Sequence, residues 1–117
     1  MQNFKTLKVW EKGHHLTLAA YKATVSFPKD ELYELTSQIR RACASIPANI
    51  AEGCGKSGKA ELGRYLQIAA GSASEVEYHL LLAHDLGFLD DDNYKSLENH
   101  AVELKRMLYS FIDKLKG

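Results

Sequence analysis

Proline and cysteine are scarce in this chain, with two of each among 117 residues. Few prolines let helices run long, and the abundance of Leu, Ala, Glu and Lys favours helix over sheet on intrinsic propensity. Two cysteines provide no disulfide framework, and a chain of this length buries roughly two-thirds of its unfolded surface without one. Cys43 and Cys54 read as small apolar residues. On one continuous helix their separation, at ~1.5 Å per residue, is ~16 Å, past the ~7 Å Cα limit for a disulfide. A charged-then-apolar leader and an apolar run of about 18 residues are both missing, so the expectation is a cytoplasmic, reduced, non-membrane protein. Net charge is missing too. The 15 Lys and Arg balance 15 Asp and Glu, which excludes a polycation of the kind that coats nucleic acid.

What charge there is lies unevenly. Met1 to Arg64 carries ten Lys or Arg against six Asp or Glu, a net of +4, and the remainder carries −4. An anionic partner would therefore meet the first half.

Hydrophobic spacing divides the chain into four helical segments within one domain, residues 1–117. The first, about Thr6 to Ser26, places Leu7, Trp10, His14, Leu18, Tyr21 and Val25 three or four residues apart, an apolar face that should turn inward. Phe27-Pro28 ends it, because a residue before proline is pushed out of the α region. The second segment carries Leu32, Leu35, Ile39, Ala42, Ile46 and Ile50. Pro47 interrupts it and frees the carbonyl of Cys43, but the stripe keeps its phase, so a kinked helix is expected, at a local cost of about 3 kcal/mol. Gly53 to Gly58 is the next break, with Ser57 as the expected N-cap.

The third segment, Lys59 to Leu86, aligns Leu62, Tyr65, Ala69, Ala73, Val76, Leu80 and Ala83. Its middle, Ala69 to Ser74, is six small residues in a row, where a neighbouring helix can approach to about 8 Å. Gly87 follows as a C-cap, and Asp90-Asp91-Asp92 supplies negative charge to the unpaired N–H groups of the last helix. There Tyr94, Leu97, Ala101, Leu104, Leu108, Phe111 and Leu115 alternate spacings of three and four throughout, the seam of a bundle. The fold expected is all-α, an antiparallel up-down four-helix bundle.

Catalytic motifs do not assemble. A di-iron bundle needs two Glu-x-x-His motifs; Glu11 to His14 has that spacing, Glu75 to His79 is one residue too long, and His14 reads as a hydrogen-bonded histidine on a packed face. Gly53-Cys54-Gly55-Lys56-Ser57 contains Gly-Lys-Ser but has Ile50 where a phosphate loop needs glycine. Ser45, Ser72 and Cys54 have no nucleophile elbow around them. No cofactor and no metal are expected, and the chain reads as a non-enzyme.

Binding residues are easier to nominate. Arg40, Arg41, Lys56, Lys59 and Arg64 form the strongest local excess of one sign and flank one interhelical turn, so several phosphates could be spanned. Off the apolar stripe of the second segment, Arg41, Ser45, Asn49 and Glu52 form a polar ridge. With Ala70, Gly71 and Ser74 of the small-residue stretch, it is the candidate subunit interface.

Three stretches carry a family likeness: Leu35 to Ala42, Ser45 to Gly53, and Gly71 to Glu75 with Asp85-Leu86-Gly87-Phe88-Leu89. With Leu7-Lys8-Val9-Trp10, His14, Leu16 and Phe27-Pro28, the chain resembles, over about positions 4 to 112, the bacterial four-helix-bundle family encoded in intervening sequences of 23S ribosomal RNA genes. The resemblance implies a ring-like homopentamer and no enzyme. It also implies kinship with accessory proteins of diversity-generating retroelements, which bind nucleic acid and a reverse transcriptase. The chain departs from the family pattern at Cys43, Cys54 and Gly13, the last costing the first helix ~1 kcal/mol relative to Ala. Its neutral charge departs too, since a nucleic-acid-binding relative should be more basic. The partners expected are further copies of the chain and RNA or another nucleic acid, held through phosphates without base reading; the rival is a protein-interaction module with no nucleic-acid role.

Overall fold

The four apolar periodicities become four helices in the computed structural model, which describes residues 2–117. They are α1 (Lys8–Thr24), α2 (Leu35–Cys54), α3 (Lys59–Asp85) and α4 (Asp91–Lys116). Single 3-10 turns at Phe4–Thr6 and Lys29–Glu31 precede α1 and α2. No strand occurs among the described residues.

Contacts between the helices define their directions. Along α1 and α2, Gly13 sits against Ile46 and Pro47, Thr17 reaches Cys43, and Thr24 meets Arg40, so the two run in opposite senses. Gly63 lies near Leu115, Glu77 pairs with Lys105, and His84 bonds Asp91, so α3 and α4 are antiparallel as well. His100 Nε2 lies 3.1 Å from the Lys12 carbonyl, tying α4 to α1. The result is an up-down bundle 43 × 22 × 19 Å in extent, in which α1 packs on α2 and α4, and α3 lies diagonally across from it.

Local chemistry explains the helix ends. Asp90 caps α4 by accepting a 2.7 Å bond from the Asn93 N–H, a bond that satisfies an orphan donor of the first turn. At the end of α3, Gly87 takes φ +81°, its N–H bonds the His84 carbonyl, and Phe88 N–H bonds the Ala83 carbonyl. These are the paired closures of a Schellman cap, which only a residue tolerant of positive φ makes at low cost. The start of α3 differs from expectation. Gly58, at φ +90°, occupies the N-cap, Ser57 falls in the connection, and no side chain caps the helix.

α2 continues through Pro47 as one helix. The carbonyl that proline frees finds a donor on α1: Thr17 Oγ1 lies 3.0 Å from the Cys43 oxygen and 2.8 Å from that of Gly13. Beside it, a Cβ on Gly13 would stand 3.2 Å from Ile46 Cγ2 and 3.4 Å from Pro47 Cδ. Glycine at position 13, a weak helix former, is what lets α1 approach the proline.

That approach overturns the expected face of α1. Val9, Gly13, Leu16, Ala20 and Thr24 turn inward, while Leu18, Tyr21 and Val25 of the expected stripe face out, Val25 at 76% exposure. The bulky stripe cannot enter where the helix axes are drawn together by Gly13. Trp10 and His14 instead stack on each other, centroids 5.0 Å apart, with Phe4 edge-on to Trp10. Leu32 likewise precedes α2 and is exposed.

The other three faces pack in the expected phase, with Leu66 and His79 of α3 and Ile112 of α4 buried beyond the expected stripes and Tyr65 and Phe111 only partly covered. Leu35, Ile39, Ile46 and Ile50 of α2, Leu66, Val76 and Leu80 of α3, and Leu97, Leu104 and Leu108 of α4 form one buried cluster. α2 and α3 approach closely at Gly53, where a Cβ would fall 2.8 Å from Tyr65 Cβ.

Candidate nucleic-acid and subunit surfaces

Up-down topology brings the start of the chain, the α2–α3 turn and the end of α4 to one pole of the bundle. Gln2 N–H bonds the Cys54 carbonyl at 3.0 Å there. The same pole holds Lys56, Lys59 and Arg64, three of the five basic residues that the local excess singled out. Lys59, Arg64 and Lys116 ring a shallow depression floored by Ile112 and Leu115. Lys56 and Lys59 border a second, beside Gln2 and Leu62. Around the corner, Lys8, Arg106 and Lys114 surround a cleft of about 350 Å³ over Leu7, Val9, Met107 and Phe111.

Lys8, Lys114 and Lys116 escaped the sequence reading because they are distant in the chain from the turn. Applying the up-down topology to the charges would have found them. Of the acidic residues at this pole, Glu61 bonds Arg64 Nε at 3.0 Å and Glu52 accepts from the Tyr65 hydroxyl, while Asp113 is exposed; farther along α4, Glu103 bonds Arg106 at 2.6 Å. Arg64 also stacks on Tyr65, 4.5 Å from the ring centre, with Lys56 Nζ 5.8 Å from it. Its pKa is raised, first by the hydrogen bond to Glu61.

Arg40 and Arg41 do not join this cluster. Arg41 is thirteen residues from the end of α2 at Cys54, ~20 Å at 1.5 Å per residue. Arg40 is occupied locally, its Nε bonding Thr24 Oγ1 at 2.9 Å and its guanidinium lying 4.8 Å from the Tyr21 ring centre. Arg41 is exposed beside an open groove lined by Tyr21, Leu32, Tyr33 and Ser45.

The opposite pole is acidic. The α1–α2 and α3–α4 connections bring Asp30, Glu31, Glu34, Asp85, Asp90, Asp91 and Asp92 to that end. His84 Nε2 lies 2.6 Å from Asp91 Oδ1, and its ring stacks on Tyr94. The Asp91 hydrogen bond raises the His84 pKa, and His84 in turn lowers that of Asp91. Tyr94 donates to Glu98 at 2.7 Å, which pushes its pKa up to about 12.

The candidate interface residues separate into surface and core. Gly71 and Ser74 are exposed on the outer side of α3. Ala70 is completely buried within the chain's own core, so it has no surface to offer a second copy. On the ridge, Ser45 donates to the Ala42 carbonyl, Asn49 to that of Ser45, and Glu52 accepts from Tyr65, which leaves Arg41 as its one side chain with no such bond among the described residues.

Both cysteines are buried on α2, and burial pushes the Cys43 thiol up to about 12, a protonated, unreactive state. No group of three potential metal ligands occurs among the described residues, nor does any helix long and apolar enough to cross a membrane.

A family model described as 23S rRNA-intervening sequence protein matches residues 5–110. The fold also matches the crystal structure of a protein of unknown function, from the S23 ribosomal protein family, of Bacteroides thetaiotaomicron VPI-5482. The two are 29% identical over 89% of this chain and 97% of that one, with a TM-score of 0.80. A comparison with curated proteins found no match.

Proposed function

This chain belongs to the 23S rRNA-intervening sequence protein family, and from that premise we propose a non-enzymatic, homo-oligomeric helical bundle whose basic pole holds RNA or another nucleic acid by its phosphates. The observation that carries the reading is the convergence of Lys56, Lys59, Arg64 and Lys116, with Lys8 and Lys114 beside them, on one end of the bundle. Such a cluster contacts backbone oxygens without reading base edges. The oligomer is the family's homopentamer, and the setting is the cytoplasm.

Salt titration tests the nucleic-acid half. Replacing Lys56, Lys59, Lys114 and Lys116 with Gln should flatten the slope of log affinity against log salt by up to about 3.6 for a duplex or 2.8 for a single strand. Replacing Arg40 and Arg41 should leave the slope nearly unchanged. An unaltered slope in the lysine variant would refute the site. Light scattering tests the other half, with about 65 kDa expected for five 13.1 kDa chains.

One observation favours the rival reading, a protein-interaction module. Leu18, Tyr21, Val25, Leu32 and Tyr33 are all exposed on or just beyond α1, Tyr33 at 88%, more apolar surface than a monomer needs to show in one region. Assembly with no salt-sensitive RNA uptake would select it.

A further inference from the structure

Two outward stripes remain uncovered. On α1, Glu11, His15, Leu18 and Lys22, continued by Val25 at its C-cap, face solvent at heptad spacing. On α3, Arg64, Ile68, Gly71, Glu75 and Tyr78 do the same, with Leu81 alongside. Leu18 is 55% exposed and Tyr78 59%. Because α1 and α3 lie diagonally across the bundle, the stripes look away from each other.

Gly71 adds an independent clue. Glycine inside a helix costs ~1 kcal/mol relative to alanine, and a Cβ at position 71 would meet nothing within 4 Å. Nothing in the chain itself requires glycine here, unlike Gly13 and Gly53, whose added Cβ atoms would press on neighbours. A notch of this kind serves a side chain arriving from outside.

One stripe projects and the other is notched. Unlike surfaces on opposite corners of one chain pair head to tail, not about a twofold axis. We propose that a second copy of this chain seats its α1 stripe on the α3 stripe, the helices parallel and Leu18 entering the notch at Gly71. This inference rests on the homo-oligomeric half of the proposed function and names its contact.

Charge complementarity sets the register. Copies related by a rotation axis along the bundle keep their helix directions, and α1 and α3 run the same way. Both stripes step by four, three, four and three residues. Leu18 over Gly71 therefore brings Lys22 to Glu75, Glu11 to Arg64, His15 to Ile68 and Val25 to Tyr78. Slid by one stripe position, about a full turn, toward the start of α3, Glu11 would meet Glu61 and Val25 would meet Glu75. Slid the other way, Lys22 would face Tyr78 and Glu11 would face Ile68. Only the first register matches both charges. Arg64 then turns toward the neighbouring copy, leaving the lysines for phosphate.

Each copy has one stripe of each kind, so the contact repeats until it closes as a ring. Such a ring places every basic pole on one face and every acidic pole on the other.

Mixed cross-linking tests the contact. Protein carrying Leu18→Cys, mixed with protein carrying Gly71→Cys and oxidised, should give a disulfide-linked dimer, and neither variant alone should. Buried Cys43 and Cys54 make wild-type protein the silent control. Separately, Lys22→Glu should weaken assembly in light scattering about tenfold, and adding Glu75→Lys should restore it, with circular dichroism confirming helix in each variant. A wild-type monomer at every concentration would overturn the oligomer and this contact together. A wild-type oligomer with no mixed disulfide and no charge-swap rescue, or self-coupling of Leu18→Cys alone, would overturn the contact and leave the oligomer standing.

Discussion

Thr17→Val, made with and without Pro47→Ala, isolates the interaction that lets α2 run through its proline. Proline 47 has no N–H to give the Cys43 carbonyl, and Thr17 supplies a hydroxyl at 3.0 Å instead. Valine keeps the shape and the helix propensity of threonine but cannot donate. A part-buried carbonyl left without a partner costs ~1–3 kcal/mol, and ~1.5 suits this half-buried site. At about 0.25 kcal/mol per degree for a chain of this size, the melting temperature should fall about 6 °C. In the Pro47→Ala background the main-chain N–H returns and can bond Cys43 as in any helix, so the same replacement should cost about 0.5 kcal/mol or less. The coupling, about 1 kcal/mol, is read from urea denaturation of the four proteins at one fixed concentration. Equal costs in both backgrounds would mean that Thr17 does not stand in for the missing donor.

Gly53→Ala should destabilise despite alanine's better propensity, because the new Cβ would fall 2.8 Å from Tyr65 Cβ and α3 must shift to admit it; overpacking of this kind costs ~1–3 kcal/mol by urea denaturation. Gly71→Ala, measured at dilution, should instead stabilise by up to ~1 kcal/mol while loosening assembly. His84→Gln should lower the melting temperature in a pH-dependent way: the His84 pKa is raised above its ordinary 6.5 and that of Asp91 is lowered below 3.8. The histidine's contribution is therefore complete below about pH 6.5 and lost as pH rises through its raised pKa, and the aspartate's is lost as pH falls below about 3.8. The difference from wild type should be largest between about pH 4 and 6.5 and shrink as pH rises through the raised His84 pKa; a difference independent of pH would show that packing on Tyr94, not charge, is what His84 contributes.

α4 was the most legible helix, Leu97, Ala101, Leu104 and Leu108 turning inward as their spacing said and Ile112 more deeply than Phe111, because what shapes it is local. Its apolar spacing never breaks, Asp90 caps it and Gly87 stops the helix before it. α1 was misread in phase, and the reason is non-local. Size marked Leu18, Tyr21 and Val25 as interior, but the depth to which α1 sinks is decided by Gly13 against Pro47, 34 positions along the chain. A weak helix former in mid-helix was the available signal, pointing to a close approach at the small-residue face. The basic pole was half legible for a similar reason. Local density found Lys56, Lys59 and Arg64, whereas Lys114 and Lys116 join them only through the antiparallel return of α4. Ala70 was misassigned because a run of small residues does not say which of its members face inward, and the packing here turns Ala69, Ala70 and Ala73 in while leaving Gly71 and Ser74 out.

A net charge of zero looks incompatible with holding a polyanion, but net charge is the wrong quantity for a body of this shape. The bundle is 43 Å long, and at physiological ionic strength exposed charges are screened within ~8 Å. A phosphate at the basic pole is thus some five screening lengths from Asp30, Asp85 and Asp92, and their repulsion does not reach it. On the proposed reading affinity depends on the charges within about one screening length of the strand, and there Lys56, Lys59, Lys114 and Lys116 outnumber Glu52, Glu61 and Asp113, of which Glu61 is held in an ion pair with Arg64. The acidic pole acts on orientation instead. On the proposed reading a strand approaching that end is repelled, binding is one-sided, and copies ringed with their poles in register extend one basic surface, each copy adding its own phosphate contacts. Each added phosphate contact steepens the salt dependence, so the slope measured on the assembled protein should exceed the slope measured on Lys22→Glu protein diluted until light scattering reads a monomer. Equal slopes would mean that a single pole binds alone and that assembly serves some other purpose.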